Sequence, residues 1–277
     1  MDISYDLESV TPHTMANTTG EGRGNAGGIA LRNFCIAIDS TMYVKTGEIL
    51  RKNLENKFGI PVKYLVITHY HGDHIFGIKP YKDVCVISSE LTSKIMSNDE
   101  TKSRYQVFIK ELAKEGPVGE GVEFIVPTLL FKDKLIIQDD DLYIEIFHTG
   151  GHTAGSSFIS VPFEKVVFAG DLIFENVFPY AGDPTCSPES LINALEQMKN
   201  LNADFYIPGH GPVMKGANSL DRHIQFYKDL RNIIKDAITD GLEASKVSVP
   251  DVFGEPDEGR KNMTVNTWLN FYKTKNK

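Results

Sequence analysis

Cysteine is scarce in this chain of 277 residues. The three that occur, Cys35, Cys85 and Cys186, are odd in number and irregular in spacing. They offer no disulfide framework, so a reducing, cytoplasmic setting is expected. Cys35 and Cys85 lie in strand-like apolar runs, where a thiol behaves as a small hydrophobe. Long hydrophobic stretches are also missing: no run approaches the roughly 18 residues needed to span a bilayer. The opening Met1-Asp2-Ile3-Ser4-Tyr5 shows no apolar secretory region. Positive charge is in deficit, with 29 Lys and Arg against 37 Asp and Glu and a formal net charge of −8. That balance is a poor match for a polyanion and disfavours nucleic acid as a partner. A small-molecule substrate is expected, with no membrane, and the composition allows a homo-oligomer. The apolar fraction of 41% is ordinary and sufficient for a sizeable core.

Strand and helix signals interleave along the chain. A glycine-rich turn over residues 20–28 leads into Ile29 to Asp39, read as one or two buried strands. Thr46 to Phe58 spaces Leu50, Leu54 and Phe58 at helical intervals, and Pro61 ends that pattern. Val62 to Thr68 and Val84 to Ile87 read as strands, and Ser89 to Glu115 as a helix followed by a loop over 116–121. Leu135 to Gln138, Tyr143 to His148, Ser156 to Val161 and Val166 to Ala169 are short β-like runs at near-regular spacing. Ser187 to Leu201 reads as a helix with Pro188 in its first turn, Asp204 to Ile207 as a strand, and Asn218 to Ile238 as an amphipathic helix. The tail from Gly241 is mixed. The pattern predicts one α/β domain over 1–277, with helical elaborations at about 89–115 and 216–277.

The chemistry is concentrated in four clusters, each beside glycine and each after an apolar run. The densest is Thr68-His69-Tyr70-His71-Gly72-Asp73-His74. In extended backbone, residues i and i+2 point to one side, so His69 and His71 can converge on one ion. Gly72 permits a sharp turn that brings Asp73 and His74 round to a neighbouring site. The other clusters centre on His152, Asp171 and His210. Imidazole and carboxylate suit zinc and similar divalent ions, and these seven side chains suffice for two of them. His148, four residues before His152, is expected to be structural, as are His13 and His223. Thr68 and Thr153 are expected to brace the ligand loops.

On these residues the chain resembles the metallo-β-lactamase-fold hydrolases, in particular the glyoxalase II-like branch. The matching pieces are Asp39 at the end of an early strand, the His69–His74 motif, His148 to Gly155, Gly170-Asp171 and Gly209-His210-Gly211, in the family's order. The resemblance implies an αβ/βα four-layer sandwich of two mixed sheets flanked by helices. It implies a first metal on His69, His71 and His152, a second on Asp73, His74 and His210, and Asp171 bridging both. Zinc is the default, with iron or manganese as alternatives. It further implies a hydrolase in which a metal-bridging hydroxide attacks a small ester, thioester or lactone. Asp73 is the candidate catalytic residue, orienting the nucleophile or passing a proton to the leaving group. Asp39 would aim a ligating imidazole from behind. Aspartate at 171 counts against antibiotic hydrolysis, since zinc β-lactamases generally carry cysteine or another non-bridging pattern there. A mononuclear non-haem iron oxygenase of the persulfide dioxygenase kind and a nucleic-acid phosphodiesterase are the competing readings. Asn25 and Tyr180 are candidate substrate contacts, with Phe174 and Phe178 as an apolar wall. The basic residues Lys228, Arg231, Lys235, Arg260 and Lys261 are interspersed with acids and do not decide between substrates.

Overall fold

A computed structural model describes residues 5–116, 119–254 and 256–275. The sequence readings at residues 1–4, and at 117 and 118 in the 116–121 loop, lie outside the described residues. Two sheets form the frame. The first has seven strands in sequential order, β1 (Glu8–Thr11), β2 (Thr14–Asn17), β3 (Ala26–Ala30), β4 (Cys35–Ile38), β5 (Val62–Val66), β6 (Cys85–Ser89) and β7 (Leu129–Phe131). Its first four strands pair antiparallel and β4 to β7 pair parallel. The second sheet contains β8 (Lys134–Asp139), β9 (Leu142–His148), β10 (Ser157–Val161), β11 (Val166–Phe174), β12 (Phe205–His210) and β13 (Met214–Lys215), in the order β13-β12-β11-β10-β9-β8.

Side-chain alternation explains why the sheets stack. Along β4, Ile36 and Ile38 face the space between the sheets, while Cys35 and Ala37 face the outer helices. Along β11, Val166 and Phe168 point inward, and Val167 and Ala169 point outward. A strand buried on both faces tends to be apolar throughout, as β4 is and as β11 is except at Asp171. The inner core joins Ile29, Ile36 and Val66 of one sheet to Ile146, Ile159 and Phe168 of the other. Each such side chain contributes roughly 1.5–3 kcal/mol on full burial. Helix α1 (Val44–Phe58) covers the first sheet with Leu50 and Leu54. It stops at Gly59, whose φ of 69° and bond to the Glu55 carbonyl form a left-handed cap. The one-turn α2 (Gly72–Ile75) carries part of the histidine motif. α3 (Glu90–Ser97) and α4 (Asp99–Leu112) also lie on the first sheet's side. α5 (Pro188–Asn200), α6 (Asp221–Thr239) and α7 (Glu258–Lys275) cover the second. The result is the expected four-layer αβ/βα sandwich.

Four local expectations are corrected. The single helix over 89–115 is two helices, because Asn98 takes an extended conformation and caps α4 through bonds from Glu100 and Thr101 to its side chain. β11 runs past Ala169 to Phe174, so Asp171 lies within a strand rather than at its end, next to a break in register at Gly170. The hairpin β1–β2 has no counterpart in the sequence reading, and the mixed tail contains the helix α7. β1 is too polar to show alternation, whereas Val265, Trp268, Leu269 and Tyr272 of α7 do carry helical spacing and are all buried. No described helix is long and apolar enough to cross a membrane.

Asn98→Ala removes the acceptor that separates α3 from α4. It should cost about 1 kcal/mol of stability, seen as a lower urea midpoint with an unchanged slope.

Candidate metal centre

β5 ends at Val66, and the chain continues through Ile67 and Thr68 into the motif. Ser157 donates its amide to the Thr68 carbonyl, which ties this strand end to the second sheet. Asp39 sits just beyond β4 with φ of 57°, a left-handed conformation that aspartate tolerates better than most residues. Its buried carboxylate accepts bonds from the Thr68 amide and the Thr68 hydroxyl, both at 2.8 Å, and from His74 Nδ1 at 2.8 Å. Burial raises the Asp39 pKa above its ordinary value, with His74 and Thr68 pulling the other way. The Thr68 hydroxyl donates to Asp39 and accepts from His69 Nδ1 at 3.1 Å. One threonine and one aspartate therefore leave Nε2 as the free nitrogen on both His69 and His74.

The other rings are aimed in the same manner. His152 Nδ1 donates to the Tyr180 carbonyl at 3.0 Å. His71 is turned the opposite way: its Nε2 donates to Asp183 Oδ2 at 3.0 Å, and its Nδ1 lies 3.0 Å from His152 Nε2. His210 stacks flat on Phe174, with ring centroids 5.0 Å apart and planes 9° apart. Asp171 lies between the groups. Its Oδ2 is 3.6 Å from His69 Nε2, 3.5 Å from His152 Nε2 and 3.4 Å from His210 Nε2, and its Oδ1 is 3.0 Å from His74 Nε2. Asp73 Oδ2 lies 3.3 Å from His210 Nε2 and 3.8 Å from His74 Nε2.

Two sets of side chains thus offer ligand atoms within 4.8 Å of one another: His69, His71, His152 and Asp171, and beside them Asp73, His74 and His210. All seven residues named from the sequence come together here. Three of their atoms, His69 Nε2, His74 Nε2 and Asp171 Oδ1, are buried with no hydrogen-bond partner. His74 and Asp171 approach to 3.0 Å without hydrogen-bond geometry. Unpaired polar atoms in a core cost roughly 1–3 kcal/mol each, so an orphaned trio aimed at one space fits a site built for cations. Their protonation is divided: burial would lower His74, but Asp171, Asp73 and Asp39 lift it well above its ordinary value, a positive charge that an incoming cation would displace. Burial pushes His152 down to about 4 and lowers His69, leaving neutral donors. Burial alone would raise Asp171 and Asp73, but the neighbouring histidines hold both below the usual carboxylate range. Burial lowers His210, but Asp171 and Asp73 outweigh it and lift the ring to about 9.

Backbone room comes from two glycines. Gly170 has φ of 52°, and a Cβ there would lie 2.7 Å from the Thr68 hydroxyl. At Gly209 a Cβ would lie 2.0 Å from Asp171 Oδ1. Asn25, expected near substrate, is placed otherwise. It is buried, and its side-chain amide donates to the carbonyls of Pro208 and Gly211, on either side of His210. It braces the His210 loop. Phe178 is also buried, packed in the outer core of the second sheet. Tyr180 does border the cleft beside His71. His148 bonds two carbonyls, of Lys132 and Ala154. His13 pairs with Glu164, and His223 bonds the Phe174 carbonyl, both away from the centre.

Asp183 was missed from the sequence. It lies 112 residues from His71 and reads there as a turn residue before Pro184. It accepts bonds from Tyr70 at 2.6 Å, from the Thr185 amide and hydroxyl, and from His71. Burial would raise its pKa, but these donors hold it below the usual range. Asp183→Asn should weaken metal affinity about 10–100-fold, measured by competition with a chromophoric chelator, while far-UV circular dichroism stays unchanged.

Comparison with known proteins agrees with this geometry. The family model described as metallo-beta-lactamase superfamily matches residues 19–210. The beta-lactamase-like protein 2 homolog of Caenorhabditis elegans is 29% identical over 179 residues, 63% of this chain and 51% of that protein. The hydroxyacylglutathione hydrolase of Pelagibacter ubique is 26% identical over 223 residues, covering 80% of this chain and 81% of its own. Among solved structures, the stereoselective inverting sec-alkylsulfatase from Pseudomonas sp. superposes with a TM-score of 0.68 at 17% identity, over 97% of this chain and 50% of that one. The chain spans about half the length of the C. elegans protein. With the matched segment covering most of its length and the ligand clusters in place, this chain belongs to the metallo-β-lactamase superfamily, a family of metal-dependent hydrolases.

Proposed function

We propose that the chain is a hydrolase with two divalent ions, zinc by default, acting on a small ester, thioester or lactone. The observation that carries this reading is the trio of buried, unpaired ligand atoms, His69 Nε2, His74 Nε2 and Asp171 Oδ1, facing one space. His69, His71 and His152 would hold one ion, Asp73, His74 and His210 the other, and Asp171 reaches both sets. When bound, such ions act as Lewis acids and lower the pKa of a coordinated water toward neutrality.

The chain's own groups do the rest. Asp73 stays ionised beside His74 and His210 and accepts a proton-bearing contact from the attacking water, which orients it. The cleft over the centre has an apolar wall and leaves Tyr180 at the margin, where its hydroxyl can bond a substrate oxygen. No serine or cysteine nucleophile is required, and burial pushes Cys35 up to about 12 and raises Cys186, so these thiols are unreactive. The three cysteines are unpaired, in keeping with a cytoplasmic setting. Likeness to the hydroxyacylglutathione hydrolase, which extends over most of both chains, favours thioesters within this class.

Metal analysis of the purified protein should find close to two equivalents of divalent ion per chain. Asp171→Ala should lose both, and His210→Ala should keep one. Chelation should abolish turnover of a thioester and lactone panel, and added zinc should restore it. Oxygen uptake on a persulfide with one iron per chain would overturn the assignment.

A further inference from the structure

Three cavities meet at Asp73. The largest, about 680 Å³, runs from His71 and Asp73 out beneath α3 and α4, with Phe76, Leu91, Ile95 and Phe108 on its walls. A second, about 260 Å³, lies directly over His210, Asp171 and Phe174. The third, about 530 Å³, touches Asp73, His210 and Met42. Tyr180 and His71 border the first two, and Met42 and Phe108 border the first and third, so they form one branched cleft.

Two residues of α7, the exposed Arg260 and Met263, border this cleft. Arg260 lines both cavities that contain His210 and Asp73. It forms no ion pair with Asp73 despite sharing those walls, and among the described residues its side chain has no hydrogen-bond or ion-pair partner. Its neighbour Lys261 pairs with Glu258, so acidic groups are at hand on the same helix and Arg260 does not take them. Its position is also electrostatically unfavourable. It is the third residue of α7, and a cation in a helix's first turn opposes the macrodipole. Exposed and unpaired on that wall, the guanidinium is free to meet a ligand in the cleft. A guanidinium fork matches a planar or tetrahedral oxyanion through paired bonds. Arg104, on α4, borders the same cleft without an ion-pair partner among the described residues.

We propose that Arg260 is the specificity residue for an oxyanion on the substrate, a carboxylate or sulfate, carried by a molecule whose apolar body lies under α3 and α4. The natural substrate is then an amphiphilic anion rather than a neutral ester. This rests on the cleft being the substrate site of the hydrolase described above.

The test is equilibrium binding of octanoate, octyl sulfate and the neutral octanamide by titration calorimetry, on protein as purified and after EDTA treatment. At least one anion should bind ten-fold or more tighter than octanamide, and that preference should survive EDTA. Arg260→Gln should reduce the preference to less than two-fold with octanamide affinity and metal content unchanged, and Arg260→Lys should restore part of it. The anion that binds tighter names the group. Equal affinity for the three probes, a preference that Arg260→Gln leaves intact, or one that disappears with the metal would each overturn the proposal. If the hydrolase reading alone fails, no ester is turned over while the Arg260-dependent preference remains.

Discussion

A buried carboxylate among imidazoles governs the architecture of this site. Asp171 is almost wholly enclosed, and four histidine Nε2 atoms lie within 3.6 Å of its oxygens. Removing a carboxylate from water costs several kcal/mol, far more than one hydrogen bond returns, so Asp171 persists only where opposite charge is concentrated around it. The neighbouring histidines supply part of that charge, and the geometry leaves space for cations to supply the remainder. The other features follow from aiming these rings. Asp39 and Thr68 set His69 and His74, Asp183 turns His71, the Tyr180 carbonyl sets His152, and Phe174 backs His210. Each ring is fixed by a contact on the nitrogen or face turned away from the centre, which keeps the inward atom free.

The ligand set was legible because metal chemistry leaves local marks: histidines at i and i+2, a glycine to turn, and apolar runs followed by Gly-Asp or Gly-His. The sheets were legible from doubly buried strands such as β4 and β11, whose residues are apolar or small except for Asp171. Supporting groups were harder. Asp39 stood out through family likeness alone, since an aspartate after a strand looks like any turn. Asp183 carries no local mark, because its role depends on a chain crossing that brings it to a histidine more than a hundred residues away. Asn25 lies in a glycine-rich segment that reads equally well as flap or brace, and only the carbonyls of Pro208 and Gly211 decide between them. The division between α3 and α4 was hidden because asparagine serves both as a helix residue and as a cap.

The cleft divides labour between the two halves of the molecule. The aliphatic and aromatic wall comes from α3, α4 and the short turn after the histidine motif, all on the first sheet's side. The guanidinium at Arg260 comes from α7, packed on the second sheet through Val265, Trp268 and Leu269. Reactive groups stay on strands, strand ends and their immediate turns, while the apolar wall and the arginine come largely from helices on the outer faces of the sheets. Substrate range can therefore change in those helices without disturbing ligand geometry.

The ligands are drawn from both sheets. His69, His71 and His74 follow β5 of the first, whereas His152, Asp171 and His210 belong to the second or its loops. An ion gripped by both would act as a rivet across the seam between the layers. A species that binds only the native state adds about 2.7 kcal/mol of stability at a hundredfold excess over its dissociation constant. Heat resistance in this protein would then reflect the ion supply of the growth medium. A packing lesion deep in either layer would stay concealed in rich medium and surface under starvation for trace elements.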